Sequence, residues 1–365
     1  MTETPPGTAY AAAGVDTDRA ALYLKNLLGW VRKTADHRTG TGRSLLDVGY
    51  FASVLDIGRG QGLALSTDGV GTKILVAELA RRYDTIGVDC VAMNVNDLIC
   101  VGAEPIAMLD YLAVQDTDPE VATQIGKGLY EGAREAEIVI PGGELAQLRD
   151  MVKGVRDNSG IDLAGAAFGL VDVADVNVGR DLAEGDVVIG LRSTGLHSNG
   201  FTLARKVLLD DAGLSLDDTI DATGKTIADH LLAPTHIYVK EFKALRRHHV
   251  TLKAILNITG DGLFNLTRVD AAVGFVIDRL PAPQGIFDEI QTRGDIPVEE
   301  MYRVFNMGIG FCFVVPEREV QDALDVLARF PMEAQVIGHV VADHEKKVVV
   351  PGLGLVGKDG HFFKT

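Results

Sequence analysis

The sequence predicts a two-domain protein of mixed helices and strands, and three observations lead there. The chain has 365 residues, more than one ordinary domain accommodates. Strand-like and helix-like patterns alternate through its first half. After a polar stretch, Asp172 to Asp186, the alternation starts again, which places a boundary there and divides the chain into residues 1–175 and 176–365. Apolar residues make up 47% and charged residues 24% of the chain, close to globular averages, so neither a disordered nor a fibrous protein is indicated.

The elements follow in order. Arg19 to Arg32 has Leu22, Leu27 and Leu28 among polar residues and reads as an amphipathic helix. Thr39 to Gly62 is glycine-rich and suits either a surface loop or close backbone approach to a ligand. Leu63 to Ser66 reads as a short strand running into Thr67-Asp68-Gly69-Val70-Gly71-Thr72-Lys73. Asp84 is expected to cap a helix over Thr85 to Val101, apolar on most sides yet carrying Asn94 and Asp97 three apart on one face. Buried polar groups need partners, so those two predict contacts. Ile106 to Val114 reads as a strand, and Asp118-Pro119 as a helix start with Val121, Ile125 and Leu129 as its apolar stripe. Ile138 to Ile140 follows as a strand, with Pro141-Gly142-Gly143 as a turn delivering Glu144. Strand, helix, strand at this length is consistent with a crossover unit. Ala164 to Val171 closes the first half.

In the second half, Val187 to Leu191 is an apolar strand ending in Gly195-Leu196-His197-Ser198-Asn199-Gly200, with a helix expected over Phe201 to Leu209 and Ser198 or Asn199 as its cap. Lys253 to Ile258, Val273 to Ile277 and Met307 to Val315 read as further strands.

Charge narrows the function classes. With 51 acidic and 35 basic residues the net charge is −16, which repels a long polyanion and argues against nucleic-acid binding. A phosphorylated metabolite remains compatible, because backbone N–H groups, one lysine and a metal can hold it locally. The N-terminus has no signal-peptide pattern and no apolar run is long enough to span a bilayer, so a cytoplasmic protein without membrane partners is expected. Three cysteines without a C-x-x-C pair suggest neither a disulfide framework nor structural zinc.

Neither the P-loop pattern nor G-x-G-x-x-G is present, so a nucleotide site must be of another kind. Asp68 after a strand, Asp97 on a helix face and Glu144 after two glycines are three carboxylates that suit Mg²⁺, which shares one or two carboxylates with substrate phosphates. Lys73 would add a positive charge, with Thr67 and Thr72 as hydroxyl donors; the same acids are also consistent with unrelated turn and cap positions. His197, bounded by glycines in a loop, would be presented to solvent and able to transfer protons, or else cap the next helix.

At these motifs the chain resembles the phosphoribosylformylglycinamidine cyclo-ligases, or aminoimidazole ribonucleotide synthetases. The resemblance runs through Tyr10 with Gly14-Val15-Asp16, Asp68-Gly69-Val70-Gly71-Thr72-Lys73, Asn94-Val95-Asn96-Asp97, Leu109-Asp110-Tyr111, Gly142-Gly143-Glu144, Gly195 to Gly200, Leu231 to Thr235 and Met301 to Gly310. It implies two α+β domains, the first joining strands into a barrel in a homodimer and the second sandwich-like. It implies ATP and Mg²⁺ near the acids, with Thr67, Asp68, Gly69, Gly71, Thr72, Lys73, Asn94, Asp97, Glu144 and Asn199 around the nucleotide, and Asp68, Asp97 and Glu144 on the metal. It further implies formylglycinamidine ribonucleotide as substrate, with His197, Lys73 and Asp68 as the catalytic candidates. The family usually has Thr-Ala-Glu where this chain has Leu145-Ala146-Gln147, and three glycines where it has Gly260-Asp261-Gly262. Its early loop reads Gly49-Tyr50-Phe51-Ala52 in place of a Gly-Phe-Gly run. The competing readings are a sister ATP-dependent enzyme of the selenophosphate synthetase, thiamin-monophosphate kinase or hydrogenase-maturation dehydratase type, and a non-catalytic nucleotide-binding paralogue.

Overall fold

The computed structural model describes residue 9, residues 13–14, 17–220 and 223–365; Tyr10, Val15 and Asp16 of the resemblance lie outside them. The first half contains α1 (Thr17–Val31), β1 (Ser53–Gly58), β2 (Gln61–Gly69), α2 (Lys73–Ala80), α3 (Asp84–Cys100), β3 (Glu104–Val114), α4 (Pro119–Ala136), β4 (Val139–Gln147) and β5 (Ile161–Asp172). Its five strands form one sheet in the order β1-β2-β5-β3-β4. β3 and β4 pair in parallel across α4, so the expected crossover unit is present. The remaining neighbours are antiparallel.

The second half has β6 (Val187–Arg192), α5 (Phe201–Arg205), α6 (Ile227–Leu231), α7 (Val239–Arg247), β7 (Ala254–Asn257), β8 (Val273–Ile277), α8 (Gly285–Gly294), α9 (Val298–Val304) and β9 (Ile309–Val315). α10 (Val320–Leu327), β10 (Ala334–Ala342), β11 (Val348–Val350), β12 (Leu355–Lys358) and β13 (His361–Lys364) follow. An eight-stranded sheet runs β13-β12-β11-β8-β10-β6-β9-β7. Every residue of β9 is buried, as its unbroken apolar run requires of a central strand covered on both faces.

One helix serves both halves. α3 packs against β2, β3 and β5 of the first sheet and against β7 and α7 of the second half. α4 crosses it at glycines: a Cβ on Gly128 would lie 2.1 Å from the Asp84 carbonyl oxygen, and one on Gly87 2.4 Å from the Leu129 nitrogen. At the start of α4 the Asp118 carboxylate accepts the N–H groups of Glu120 and Val121 at 2.8 and 3.3 Å, with Pro119 in the first turn as the sequence predicts.

Four local expectations are corrected. Asp84 is the first residue of α3 and makes no side-chain cap; Tyr83 precedes it as the cap position. Pro141-Gly142-Gly143 is no turn but lies inside β4, because Gly142 and Gly143 pair in register with Leu109 and Asp110 of β3. Neither Ser198 nor Asn199 caps α5; Gly200 does, at φ 75°, and the helix expected to reach Leu209 becomes π-helical over Lys206–Asp211. In α1 the expected apolar stripe is not covered, since Leu22 and Leu27 are exposed.

Candidate functional site

β2 delivers Asp68 to the edge where the first sheet meets α3. The fully buried Asn94 fixes it there: its Oδ1 accepts the Asp68 N–H at 2.9 Å, and its Nδ2 donates to the Asp68 carbonyl at 3.1 Å and to the Cys90 carbonyl at 2.8 Å. Only a glycine opposite leaves room for this amide, because a Cβ on Gly165 would fall 2.9 Å from Nδ2. Asn94 therefore places Asp68 through its backbone, with its own side chain inside the protein. The Asp68 Oδ1 accepts the Gly69 N–H at 2.7 Å, and burial raises its pKa against that bond.

Asp97 lies three residues on from Asn94, and its Oδ1 accepts a hydrogen bond from Asn257 Nδ2 at 2.8 Å. Burial lifts its carboxyl to about 7; the Asn257 bond and the charge of Arg268 oppose the rise, and the charge of Asp68 adds to it. A carboxylate whose charge is disfavoured by burial and by a neighbouring acid is stabilised by a nearby cation. Among the described residues there is no group of three or more His, Cys, Asp or Glu side chains able to hold a metal. Mg²⁺ commonly takes only one or two protein carboxylates and completes its shell with water and phosphate oxygens.

Glu144 lies off the row that Asp68 occupies. The register pairs Asp68 with Gly165, Gly165 with Asp110 and Asp110 with Gly143, while Glu144 shares the next row with Tyr111, Ala164 and Gly69. Side chains alternate faces along a strand, so Glu144 stands one pleat away and points to the opposite side. Asp110 is the acid in the Asp68 row, and a Cβ on Gly143 would meet its Oδ1 at 2.2 Å. Asp110, Gly143 and Glu144 line a cavity of about 910 Å³ at the sheet edge, together with Tyr83, Gln124 and Arg156.

Lys73 is turned into the protein interior. Its Nζ has no access to solvent and lies 2.9 and 2.8 Å from the two carboxylate oxygens of Asp89, also donating to the carbonyls of Ala233 at 2.7 Å and His197 at 3.1 Å. Asp89 in turn accepts the N–H and hydroxyl of Thr235, both at 2.7 Å. Burial lowers the lysine's pKa, and the adjacent carboxylate counters it. Two turns along α3, Asn96 donates to the His236 carbonyl at 2.8 Å and accepts the Tyr238 N–H at 3.0 Å. α2 and α3 thereby hold the loops around His197 and Thr235.

His197 is packed rather than presented. It is 3% exposed, adopts φ 61°, and its Nε2 accepts the Thr194 N–H at 3.2 Å, which engages the lone pair a base would use. Burial first, and then the charges of Lys73 and His236, lower its pKa from 6.5 to about 3. Asn199 approaches the second-half loop, its Oδ1 standing 3.3 Å from where a Cβ on Gly260 would lie. Thr67 Oγ1 donates to the Gly165 carbonyl at 2.9 Å, and Thr72 Oγ1 lies 3.1 Å from Thr202 Oγ1. Gly71 turns the chain into α2 at φ 71°.

The structure therefore joins Asn94 to Asp68 and Asn257 to Asp97, sets Asn199 beside the Gly260 loop, and withdraws Lys73 and His197 into the joint between halves. Sequence reasoning missed Asp89, Asn96, Asn257 and Asp110. For Asp89 and Asn96 the available signal was on α3, where Asp89, Asn94, Asn96 and Asp97, beyond the first turn of an otherwise apolar helix, each require a partner.

The chain is similar along most of its length to characterised families. A model described as the AIR synthase related protein, N-terminal domain, matches residues 49–171, and that of the corresponding C-terminal domain matches 183–351. It is 46% identical over 352 residues to a phosphoribosylformylglycinamidine cyclo-ligase of Methanocaldococcus jannaschii, covering 96% of this chain and 95% of that one. With the protein of that name from Thermococcus kodakarensis it shares 45% identity over 95% of this chain and 99% of the other. Among solved structures, a thiamine-monophosphate kinase of Stenotrophomonas maltophilia shares the fold at TM-score 0.59 with 19% identity, over 88% and 94% of the two chains.

Two stability predictions follow from the joint. Lys73→Met leaves Asp89 buried without its cation and is expected to lower unfolding free energy by ~3–5 kcal/mol, measured by urea denaturation; a loss within about 0.5 kcal/mol contradicts the assignment. Because the folded-state pKa of His197 lies below its unfolded value of 6.5, the folded state excludes a proton that the unfolded chain binds. Its contribution is present above pH 6.5 and is lost as pH falls toward about 3. His197→Asn, which tolerates the left-handed backbone, should flatten the fall in urea midpoint between about pH 6.5 and 4.

Proposed function

The chain belongs to the AIR synthase related family, and from that premise we infer that it is an ATP-dependent cyclo-ligase that converts formylglycinamidine ribonucleotide into aminoimidazole ribonucleotide, ADP and phosphate in purine biosynthesis. End-to-end similarity to cyclo-ligases at about 45% identity carries the activity. The pairing of Asp68 and Asp97, fixed by Asn94 and Asn257, carries the site.

The chemistry asks for two things. A formyl amide oxygen is a poor leaving group, so transfer of the γ-phosphoryl group to it lets the amidine nitrogen attack the carbon, close the ring and expel phosphate. Phosphoryl transfer depends on positioning and on compensation of negative charge. Asp68 and Asp97 would hold Mg²⁺, which neutralises phosphate charge. The cavity of about 910 Å³ beside Asp110 and Glu144 is of a size suited to the nucleotide, and Glu144 belongs to that wall rather than to the metal. Lys73 and His197 act through the backbone they hold and not on the reacting atoms.

The same reading divides the chain into a nucleotide-binding part, residues 1–175, and a part completing the substrate site, residues 176–365. The open face of the five-stranded sheet carries exposed Leu109, Tyr111 and Leu170, an apolar surface that a second copy would cover in a homodimer. Among the described residues no helix is long and apolar enough to cross a membrane, in keeping with a cytoplasmic enzyme.

The test is to mix the protein with ATP, Mg²⁺ and formylglycinamidine ribonucleotide and to follow ADP and the aminoimidazole together. Equal, substrate-dependent formation of both is expected. ADP without imidazole would point to a sister kinase, and neither product to a binding paralogue. In the same assay Asp68→Asn and Asp97→Asn should each slow turnover by ~100-fold or more with unchanged melting temperature; wild-type rates across magnesium concentrations would contradict the metal assignment.

A further inference from the structure

We propose that Arg268 binds the phosphate of the ribonucleotide substrate, and that Asp261 is an internal anion which this phosphate displaces. The proposal rests on the cyclo-ligase reading and adds to it a residue and the ligand group it recognises.

The geometry begins at the end of β7. Asn257 there holds Asp97; the chain then turns through Thr259-Gly260-Asp261 and forms a 3-10 segment, Gly262–Arg268. One short stretch thus carries a contact to the acidic pair and, at its far end, a guanidinium. Arg268 Nη2 donates to Asp261 Oδ2 at 2.6 Å, and the group lies 4.8 Å from the centroid of the buried Phe51 ring. An arginine stacked on a ring keeps a fixed plane and presents its N–H donors as a fork, the arrangement that fits a phosphate. The two side chains are 33% and 60% exposed, so a solute can reach the arginine and the aspartate can swing away. Beside them the Tyr50 ring meets Phe51 edge-on at 5.1 Å, and its buried hydroxyl has no hydrogen-bond partner among the described residues.

Charge identifies the ligand. The chain carries a net charge of −16, and the site holds two carboxylates. The ATP phosphates are compensated by a metal at those carboxylates, whereas the phosphate ester of a ribonucleotide takes no part in ring closure and brings no cation. A protein cation can compensate it, and Arg268 ends the short segment that starts from the Asn257 contact to Asp97. Asp261 occupies the same fork, so it competes with the ester.

Steady-state kinetics of the full-length protein test this. Arg268→Gln should raise the KM for formylglycinamidine ribonucleotide by about ten-fold or more, with the KM for ATP unchanged and kcat within about two-fold, as for a contact made equally in ground and transition states. Arg268→Lys should fall between, and Asp261→Asn should lower the substrate KM. Inorganic phosphate should compete with the ribonucleotide in the wild type and lose that effect in Arg268→Gln. An unchanged substrate KM in Arg268→Gln, a rise confined to ATP, or an Asp261→Asn variant that binds substrate more weakly would overturn the proposal. A wild type that forms no imidazole would remove the cyclo-ligase reading and the proposal together; a wild type that turns over with unaffected variants removes the proposal alone.

Discussion

A lysine with no access to solvent is stable as a cation only if a carboxylate and further acceptors surround it, and Lys73 has Asp89 and the carbonyls of His197 and Ala233. Much of the site geometry depends on that arrangement. The ammonium belongs to α2, its counter-ion to α3, and both acceptor carbonyls to loops of the second half. Removing two charges from water is expensive, and their attraction repays it only when geometry and additional hydrogen bonds are good. Thr235 supplies those bonds to Asp89. Because the pair is satisfied only when both halves are seated, it couples the position of the His197 loop to the strand that carries Asp68.

α3 divides its polar residues between two tasks. Asp89 and Asn96 are two turns apart and so share a face; both hold the loop around Thr235 and Tyr238. Asn94 and Asp97 occupy a neighbouring stripe and build the acidic edge. One helix, buried over most of its length, therefore fixes the relation between joint and site, and the glycine crossing with α4 keeps it rigidly in place. The contact from Asn257 to Asp97 brings the second half back to the same edge. The carboxylates that would meet metal sit on a sheet and a helix rather than on free loops, which keeps them positioned before ligand arrives.

Much of the fold was legible in the sequence. Unbroken apolar runs located β8 and β9, Asp118-Pro119 located the start of α4, and strand, helix, strand predicted the parallel pair. Asp68 and Asp97 stood out in the sequence, because a carboxylate after a strand and another on an apolar helix need a reason. Three residues are placed otherwise than their local sequence suggests, for physical reasons. Lys73 follows two glycines and a threonine, as a phosphate-binding lysine can, but its partner Asp89 lies sixteen residues away and nothing local announces the pairing. His197 sits between glycines, which suggested exposure; its ring instead packs against Gly310 of β9, where a Cβ would lie 2.4 Å from it. Glu144 sits off the Asp68 row because Gly142 and Gly143 continue a strand, and pleat parity then sends the carboxylate to the other face. Register and burial are long-range properties that spacing along the chain does not encode.

The most direct test of this account is a structure of the protein with magnesium and a non-hydrolysable ATP analogue. The account predicts the metal between Asp68 and Asp97 with the triphosphate attached, while the Lys73 ammonium stays within hydrogen-bonding distance of Asp89. A lysine that has left Asp89 for the γ-phosphate, or a metal held by Glu144, would contradict it.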